Sequence, residues 1–383
     1  MNNLISGSRA FILGALHSGA TYYAGYPITP ASQIMLEWVR AMENTEKLKP
    51  LKRIKPLDID AKGQQTKLTF LQSEDEIAAI HSVIGASLAG ALSFTATSGP
   101  GYSLMQEGIN LAYTYKIPLV LIDVQRQGPS TGMPTLAAQG DLMQSQFGSH
   151  SDIIMPVFTP SSVEECYEIT IKAFNLAKTV PCTVTILTDG FIANLTESVD
   201  IDELYDKNKD NIRPNNFKPL AKNGGKYRHF TGFANIDGEV DTQSLGAIKS
   251  WSKHMASGIA EALEDYEDMY TLTEARTTAL HKKSKNRKYK ETKSLLITFG
   301  TTYRVAEHFN DKFDIINLNR LFPILKGLEQ ISKKYKNLVV LEMNNRQYAD
   351  FLQSRLLRKV ESIRVYSQDF NIKAIQEELK KYE

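Results

Sequence analysis

Short apolar runs alternate with longer amphipathic stretches through the first half of the chain. Thr21–Gly25, Lys67–Leu71, Leu92–Thr97, Pro118–Val124, Ile153–Phe158 and Cys182–Thr188 read as strands. Gly7–His17, Gln33–Met42, Asp75–Ala89, Gly101–Tyr115 and Val163–Ala177 carry apolar residues at helical spacing. Nearly continuous apolar strands alternating with amphipathic helices predict a doubly wound, mostly parallel α/β sheet, with the domain spanning 1–195. Residues 196–290 break the pattern with Asp/Asn/Lys clusters, Pro214, Pro219, Gly224-Gly225 and a basic run from His281 to Lys290. They predict a polar connector with one helix, roughly Trp251 to Tyr266, able to wrap a neighbouring subunit. Residues 291–383 return to alternation: strands at Ser294–Phe299, Ile315–Leu318 and Leu338–Leu341, helices from Tyr303 and from Tyr348. A second, smaller α/β unit is expected there.

A length of 383 residues fits this division, being too long for one ordinary core. Hydrophobic content of 42% with 23% charge is that of a soluble globular protein. The net charge of +2 provides no electrostatic footprint for nucleic acid or an anionic membrane. The basic run holds only Tyr289 as a stacking residue, so it reads as a solvated face. No long apolar run or leader with a cleavage site is present, and a cytoplasmic protein is expected. Cys166 and Cys182 are the only cysteines. They read as small core residues, and two thiols cannot hold a four-thiolate iron–sulfur cluster.

Candidate chemistry gathers where strands end. Tyr26-Pro27-Ile28-Thr29-Pro30 follows the first strand; two prolines fix φ and hold the Thr29 hydroxyl at its carboxyl end, where open α/β sheets bind ligands. Ser98-Gly99-Pro100-Gly101-Tyr102 follows another strand, although a tight turn explains it equally well. Gln125-Arg126-Gln127-Gly128-Pro129-Ser130-Thr131-Gly132-Met133-Pro134-Thr135 follows a third, irregular by its Gly and Pro content. It offers a guanidinium suited to a carboxylate or phosphate. Glu74-Asp75-Glu76 opens a helix, where acidic residues suit the helix dipole. The Ile77-Ala78-Ala79-Ile80 that follows places Glu76 in a dry setting, where its pKa rises. Asp189-Gly190 with Asn215 and Asn216 mimics a magnesium–diphosphate fingerprint. Thr188 replaces its leading glycine and the intervening stretch is polar, so no metal ligand is assigned to this chain.

Together these segments resemble the alpha subunit of 2-oxoacid:ferredoxin oxidoreductases, most closely the 2-oxoglutarate type. The resemblance rests on Tyr26–Pro30, Gln72-Ser73-Glu74-Asp75-Glu76-Ile77-Ala78-Ala79, Thr95-Ala96-Thr97-Ser98-Gly99-Pro100-Gly101 and Gly128–Thr135. Gln139-Gly140-Asp141-Leu142, Asn319-Arg320-Leu321-Phe322-Pro323 and Glu342-Met343-Asn344 extend it over nearly the whole chain outside the connector. It implies a thiamine-diphosphate fold: a pyrimidine-binding domain followed by one similar to the transketolase C-terminal domain. It implies that Glu76 hydrogen-bonds N1′ of the aminopyrimidine, with Tyr26, Pro27, Ile28, Ser98 and Gly99 beside the cofactor. Thr29 and Arg126 face the 2-oxoacid in this scheme, Arg126 pairing its carboxylate; Thr131 and Thr135 line the same pocket, with His150 further from the pattern.

The resemblance further implies CoA as co-substrate and ferredoxin as electron acceptor. It places Mg²⁺, the diphosphate and a [4Fe-4S] cluster on a beta subunit, with a separate gamma polypeptide and a delta ferredoxin-like subunit as further partners. Two features depart from the family pattern: an insertion over Pro50–Gln65, and Gln127 where relatives often carry Gly. Pyruvate or a branched-chain 2-oxoacid as substrate, and a silent assembly or regulatory paralogue, are the alternatives. Retention of Thr29, Glu76 and Arg126 together favours a catalytic subunit.

Overall fold

The computed structural model describes residues 3–43, 67–150, 153–213, 257–275, 292–367 and 370–383. The 50–65 insertion, the 281–290 basic run, Asn215, Asn216 and the first part of the expected connector helix lie outside them.

The first half builds an eight-stranded sheet from β2 (Tyr22–Gly25), β3 (Thr69–Gln72), β4 (Ser93–Thr97), β5 (Leu119–Gln127), β6 (Met133–Ala137), β7 (Val157–Phe158), β8 (Thr183–Asp189) and β13 (Arg320–Phe322). Its order is β13-β7-β8-β5-β4-β2-β3, parallel from β7 to β3, with β6 folded back on β5. All of β5 except its last residue is buried, as a strand covered on both faces requires. The helices are α1 (Gly7–His17), α2 (Ser32–Glu43), α3 (Glu76–Leu88), α4 (Gly99–Leu104), α5 (Gln106–Thr114), α6 (Leu142–Phe147) and α7 (Val163–Thr179). Helix α1 packs on α7, and α3 on α5. The first strand of the chain, β1 (Asn3–Ser6), pairs antiparallel with β9 (Thr196–Val199).

The second sheet runs β10-β12-β11-β14-β15, from β10 (Tyr270–Thr273), β11 (Ser294–Thr298), β12 (Asp314–Leu318), β14 (Asn337–Glu342) and β15 (Glu361–Arg364). It is parallel except for β10. One face carries its own apolar cluster, including Leu296, Phe309, Phe313, Ile315, Val339 and Leu341, while Leu295, Ile297, Ile316 and Val340 join the large core. Among the described residues no helix is long and apolar enough to cross a membrane.

Several expectations need correction. The Gly101–Tyr115 helix is two helices meeting at Met105. Only Val157–Phe158 of the 153–158 run pairs, because Pro156 has no N–H to donate. The segment after β5 is a hairpin: Met133–Ala137 returns along Arg126 and Gln127, so only its tip is irregular. The connector contributes structure on both sides. Helix Ile201–Asn208 and β9 precede its outside portion, and β10 joins the second sheet. Residues 257–266 are helical, within the span expected for the connector helix. Arg320–Phe322 crosses back to close the edge of the first sheet against β7, a pairing no local pattern announced.

Candidate active site

Strands β5, β4, β2 and β3 are neighbours, so the segments that follow their carboxyl ends converge. Among the acids at 74–76 the roles divide. Asp75 is the N-cap of α3 and accepts a 2.6 Å bond from the Ala78 amide; Glu74 is exposed; Glu76 is buried. Loss of water raises the pKa of Glu76, and Asp75 adds to the rise. Its own backbone amide and the Arg126 guanidinium pull the other way.

Gly101 explains part of the Ser-Gly-Pro-Gly motif. A Cβ there would lie 2.5 Å from Glu76 Oε1 and 2.2 Å from Thr97 Oγ1, so only glycine lets α4 abut this carboxyl group. Gly99 has φ +22°, a conformation strained for other residues. Thr97 Oγ1, Ser98 Oγ and Arg126 Nε are buried there without a hydrogen-bond partner. Buried polar atoms are rarely left in this state, and a group of them beside a buried carboxyl marks a place prepared for a polar ligand.

Arg126 lies in β5 and donates from Nη1 to the Thr29 carbonyl at 2.8 Å, joining the hairpin strand to the Pro loop. Thr29 and Pro27 are exposed, Tyr26 is 39% exposed, and Ile28 packs against the core. Thr131 and Thr135 are exposed on the hairpin. Gln127 bonds the adjacent Gly128 carbonyl and turns outward. His150 faces Asn110 on α5 at 3.4 Å, rather than the Glu76 group.

Two acidic residues went unread as site candidates. Asp123 interrupts the apolar run of β5 and is fully buried; Asp141, within the Gln139–Leu142 motif, precedes α6. A Cβ on Gly99 would sit 3.7 Å from Asp141 Oδ2 and 3.8 Å from Arg126 Cγ, which places both beside the Ser98-Gly99 turn. The available signal was a charge in the middle of a buried strand.

The two matched motifs at 139–142 and 342–344 meet in space. Gln139 donates to the Phe299 carbonyl (2.9 Å) and accepts from the Met343 amide (3.0 Å), and Asn344 Nδ2 donates to its carbonyl (2.9 Å). A cavity of about 420 Å³ between the hairpin and the second sheet is lined by Arg126, Asp141, Asn344, Arg364 and Tyr366, among others.

Asp189 is otherwise engaged. Its carboxylate accepts from the Phe191 and Ile192 amides and from the amide and hydroxyl of Thr301, capping one helix and tying β8 to the loop after β11. Among the described residues no group of three or more His, Cys, Asp or Glu side chains is arranged to hold a metal ion.

The family model for the pyruvate flavodoxin/ferredoxin oxidoreductase thiamine-diphosphate-binding domain matches residues 13–244. The chain is 34% identical to the 2-oxoglutarate synthase subunit KorA of Archaeoglobus fulgidus, over 89% of this chain and 88% of that one. It is 29% identical to the 2-oxoglutarate oxidoreductase subunit KorA of Mycobacterium tuberculosis, over 94% of this chain but only 54% of the relative. Its match to the KorA of Methanocaldococcus jannaschii likewise covers 52% of that relative. A solved 2-oxoglutarate:ferredoxin oxidoreductase from Magnetococcus marinus, with 2-oxoglutarate, coenzyme A and succinyl-CoA bound, superposes with a TM-score of 0.76. Its identity is 24%, over 99% of this chain and 65% of that one, so it speaks to the fold. A split-gene transketolase gives a TM-score of 0.51 at 11% identity, likewise a matter of fold. The expected fold class, a thiamine-diphosphate-type doubly wound sheet followed by a smaller α/β unit, is the one observed. The chain belongs to the pyruvate flavodoxin/ferredoxin oxidoreductase family, through its thiamine-diphosphate-binding domain.

Proposed function

We propose that this chain is the alpha subunit of a 2-oxoglutarate:ferredoxin oxidoreductase. With a beta subunit it would catalyse the CoA-linked oxidative decarboxylation of 2-oxoglutarate, or the reverse carboxylation, and exchange electrons with ferredoxin. The observation that carries the reading is Glu76, a buried carboxyl at a helix start, its pKa raised, abutted by a glycine and flanked by unpartnered hydroxyls. Those groups fit the aminopyrimidine end of thiamine diphosphate: a carboxyl for a ring nitrogen and hydroxyls for an exocyclic amine. When bound, that cofactor supplies the nucleophilic carbon for the 2-oxo group and accepts the electrons that CO₂ leaves behind.

This chain's residues supply placement and protons. Loss of water and the neighbouring Asp75 raise the pKa of Glu76, which suits its carboxyl to act as a general acid–base toward the ring nitrogen. Tyr26, Pro27, Ile28, Ser98 and Gly99 would wall the pyrimidine. Arg126 pairs the 2-oxoacid carboxylate while its Nη1 anchors the Thr29 carbonyl, leaving the Thr29 hydroxyl toward substrate. Thr131 and Thr135 are exposed on the hairpin above. Leu71, Ile77, Leu104 and Met133, at least two-fifths exposed along this end of the molecule, suit burial by the beta subunit. That subunit would bring the diphosphate site, Mg²⁺ and the [4Fe-4S] cluster, since Cys166 and Cys182 are buried here. Gamma and delta subunits are further expected partners.

The test is co-purification with the beta subunit and a 2-oxoacid panel with a viologen acceptor. CoA-dependent reduction with 2-oxoglutarate is expected, together with no stoichiometric thiamine diphosphate, magnesium or iron on the isolated chain. Preference for pyruvate or branched-chain acids would move the substrate assignment. An inactive complex would favour the assembly role, and stoichiometric metal on the chain alone would revive Asp189 as a ligand.

A further inference from the structure

Arg126 stands among more negative groups than it can balance. Glu76 reaches it from α3, Asp123 from its own strand and Asp141 from the start of α6, and each of the three carboxyls is electrostatically coupled to this guanidinium. With all three ionised, three negative charges would surround one positive charge in a site that must admit an anionic 2-oxoacid. The hydrogen bonds point to the resolution. Both oxygens of Asp123 and Oδ2 of Asp141 are buried and lack a well-formed bond from any fixed donor. What Asp123 faces is the carboxyl of Asp141 and the amide of Gly99. The donor that completes this arrangement is a proton between the two carboxyls.

We propose that Asp123 and Asp141 share one proton, and that the single negative charge left on the pair is the resting counter-ion of Arg126, released by a second proton when the 2-oxoacid carboxylate takes its place. The inference rests on the reading of Arg126 as the substrate's carboxylate partner. Asp123 and Asp141 are then positioning residues, acting on substrate through Arg126.

The surroundings agree. Burial comes first in raising both groups: Asp141 is pushed up to about 6, and Asp123, which faces a second carboxyl as well, stands far above the ordinary aspartate range. Two carboxyls in one dry place titrate as a pair, and like charge forbids both from ionising together. The remaining groups around the pair are the Tyr102 phenol on α4 and Arg126 itself. Gln125 Oε1 holds the Asp141 amide at 3.1 Å, and Arg364 and Tyr366 lie across the cavity that Asp141 also lines. Asp141 is partly exposed, so it gives the buried pair an outlet to solvent; Asp123 has none.

The proposal fixes opposite signs for two isosteric variants. In Asp123→Asn the amide donates to Asp141, which stays ionised beside Arg126. KM for 2-oxoglutarate then sits at its high value from neutral to mildly alkaline pH. In Asp141→Asn the isolated, buried Asp123 stays neutral, so KM sits at its low value. In the native complex KM rises with pH across the pair's titration, by up to about tenfold per pH unit, because binding takes up one proton. The pair's protonation changes KM, whereas Glu76 titration is read in kcat.

The experiment measures KM and kcat separately for the assembled alpha–beta complex and both variants from mildly acidic to mildly alkaline pH. Infrared difference spectra of the same complexes look for the C=O stretch of a protonated carboxyl, which each Asn variant should alter. Opposite KM shifts with a flattened pH dependence, and a carboxyl band that changes, are the expected result. Shifts of the same sign, an unchanged pH slope, or a protonated-carboxyl band that neither Asn variant alters would overturn the proposal. A complex that turns over no 2-oxoacid would instead overturn the functional reading beneath it, and the infrared band would still decide whether the shared proton exists.

Discussion

Two sets of buried polar groups lie near strand ends in this molecule, and they are treated in opposite ways. Around the junction of the two sheets, Asp189, Glu342 and Gln139 have their side-chain acceptors filled. Asp189 takes four hydrogen bonds across the junction, and Glu342 takes the Tyr348 and Ala349 amides and the Ser362 hydroxyl. Gln139 is bonded at both ends of its amide. At the ends of β4 and β5, a short distance along the same large sheet, Thr97, Ser98, Asp123, Arg126 and Asp141 each keep a buried atom without a partner. A hydrogen bond to a charged group contributes about 1.5–3 kcal/mol, and an unsatisfied buried group costs about 1–3 kcal/mol. The first set therefore stabilises the fold, while the second is tolerated at a cost that the surrounding sheet offsets. Burial of a charge alone does not distinguish structure from function; the state of its partners does.

Breaking either set should have a distinct signature. Glu76→Gln removes the titrating group and keeps the shape. Turnover of the assembled complex should fall by about 10²–10⁴-fold or more, measured by acceptor reduction, with assembly intact. Asp189→Ala strips four donors of their acceptor and should cost on the order of 3 kcal/mol in denaturant unfolding, while turnover per folded complex stays within a few-fold. Arg126→Lys keeps charge but loses the planar fork. It should lower kcat/KM for 2-oxoacids about ten- to a hundredfold, and barely affect a carboxylate-free carbonyl compound. Equal penalties for both compound classes would leave Arg126 as an anchor of the Pro loop through Thr29.

The smallest effect sharpens the comparison by pH. The folded pKa values of Asp123 and Asp141 are raised, so the folded state binds more protons than the unfolded one and loses stability as pH rises from the ordinary aspartate range through about 6 and beyond. Asp123→Asn should therefore gain stability relative to the native chain as pH rises, on the order of 1 kcal/mol, read from melting at mildly acidic and mildly alkaline pH.

Much of the first sheet was legible because its central strands β4, β5 and β8 are buried nearly throughout and write themselves as largely apolar runs. The helix boundaries at Gly7–His17 and around α3 follow from period and capping. The Pro loop, Glu76 and Arg126 could be singled out as candidates because prolines, a dry acid and a guanidinium at a strand end are conspicuous in the sequence. What escaped was non-local. Arg320–Phe322 is a strand only because β7 offers it an edge, and β10 only because β12 does. Asp123 and Asp141 are separated by a hairpin, and their pairing exists only once β6 folds back on β5. Asp189 was set aside as a metal ligand on local grounds, Thr188 and the polar stretch after it; that its carboxylate is engaged by Thr301 from the second sheet was not legible.

The most direct test sets Glu76→Gln beside Asp189→Asn in the same alpha–beta complex, with turnover per assembled complex and melting temperature measured for each. The account predicts a crossover: Glu76→Gln melts like the native complex but turns over at least a hundredfold more slowly, while Asp189→Asn melts lower and turns over nearly normally once folded. Near-normal turnover in Glu76→Gln would contradict it, because the unsatisfied site would then hold no group on which the chemistry depends.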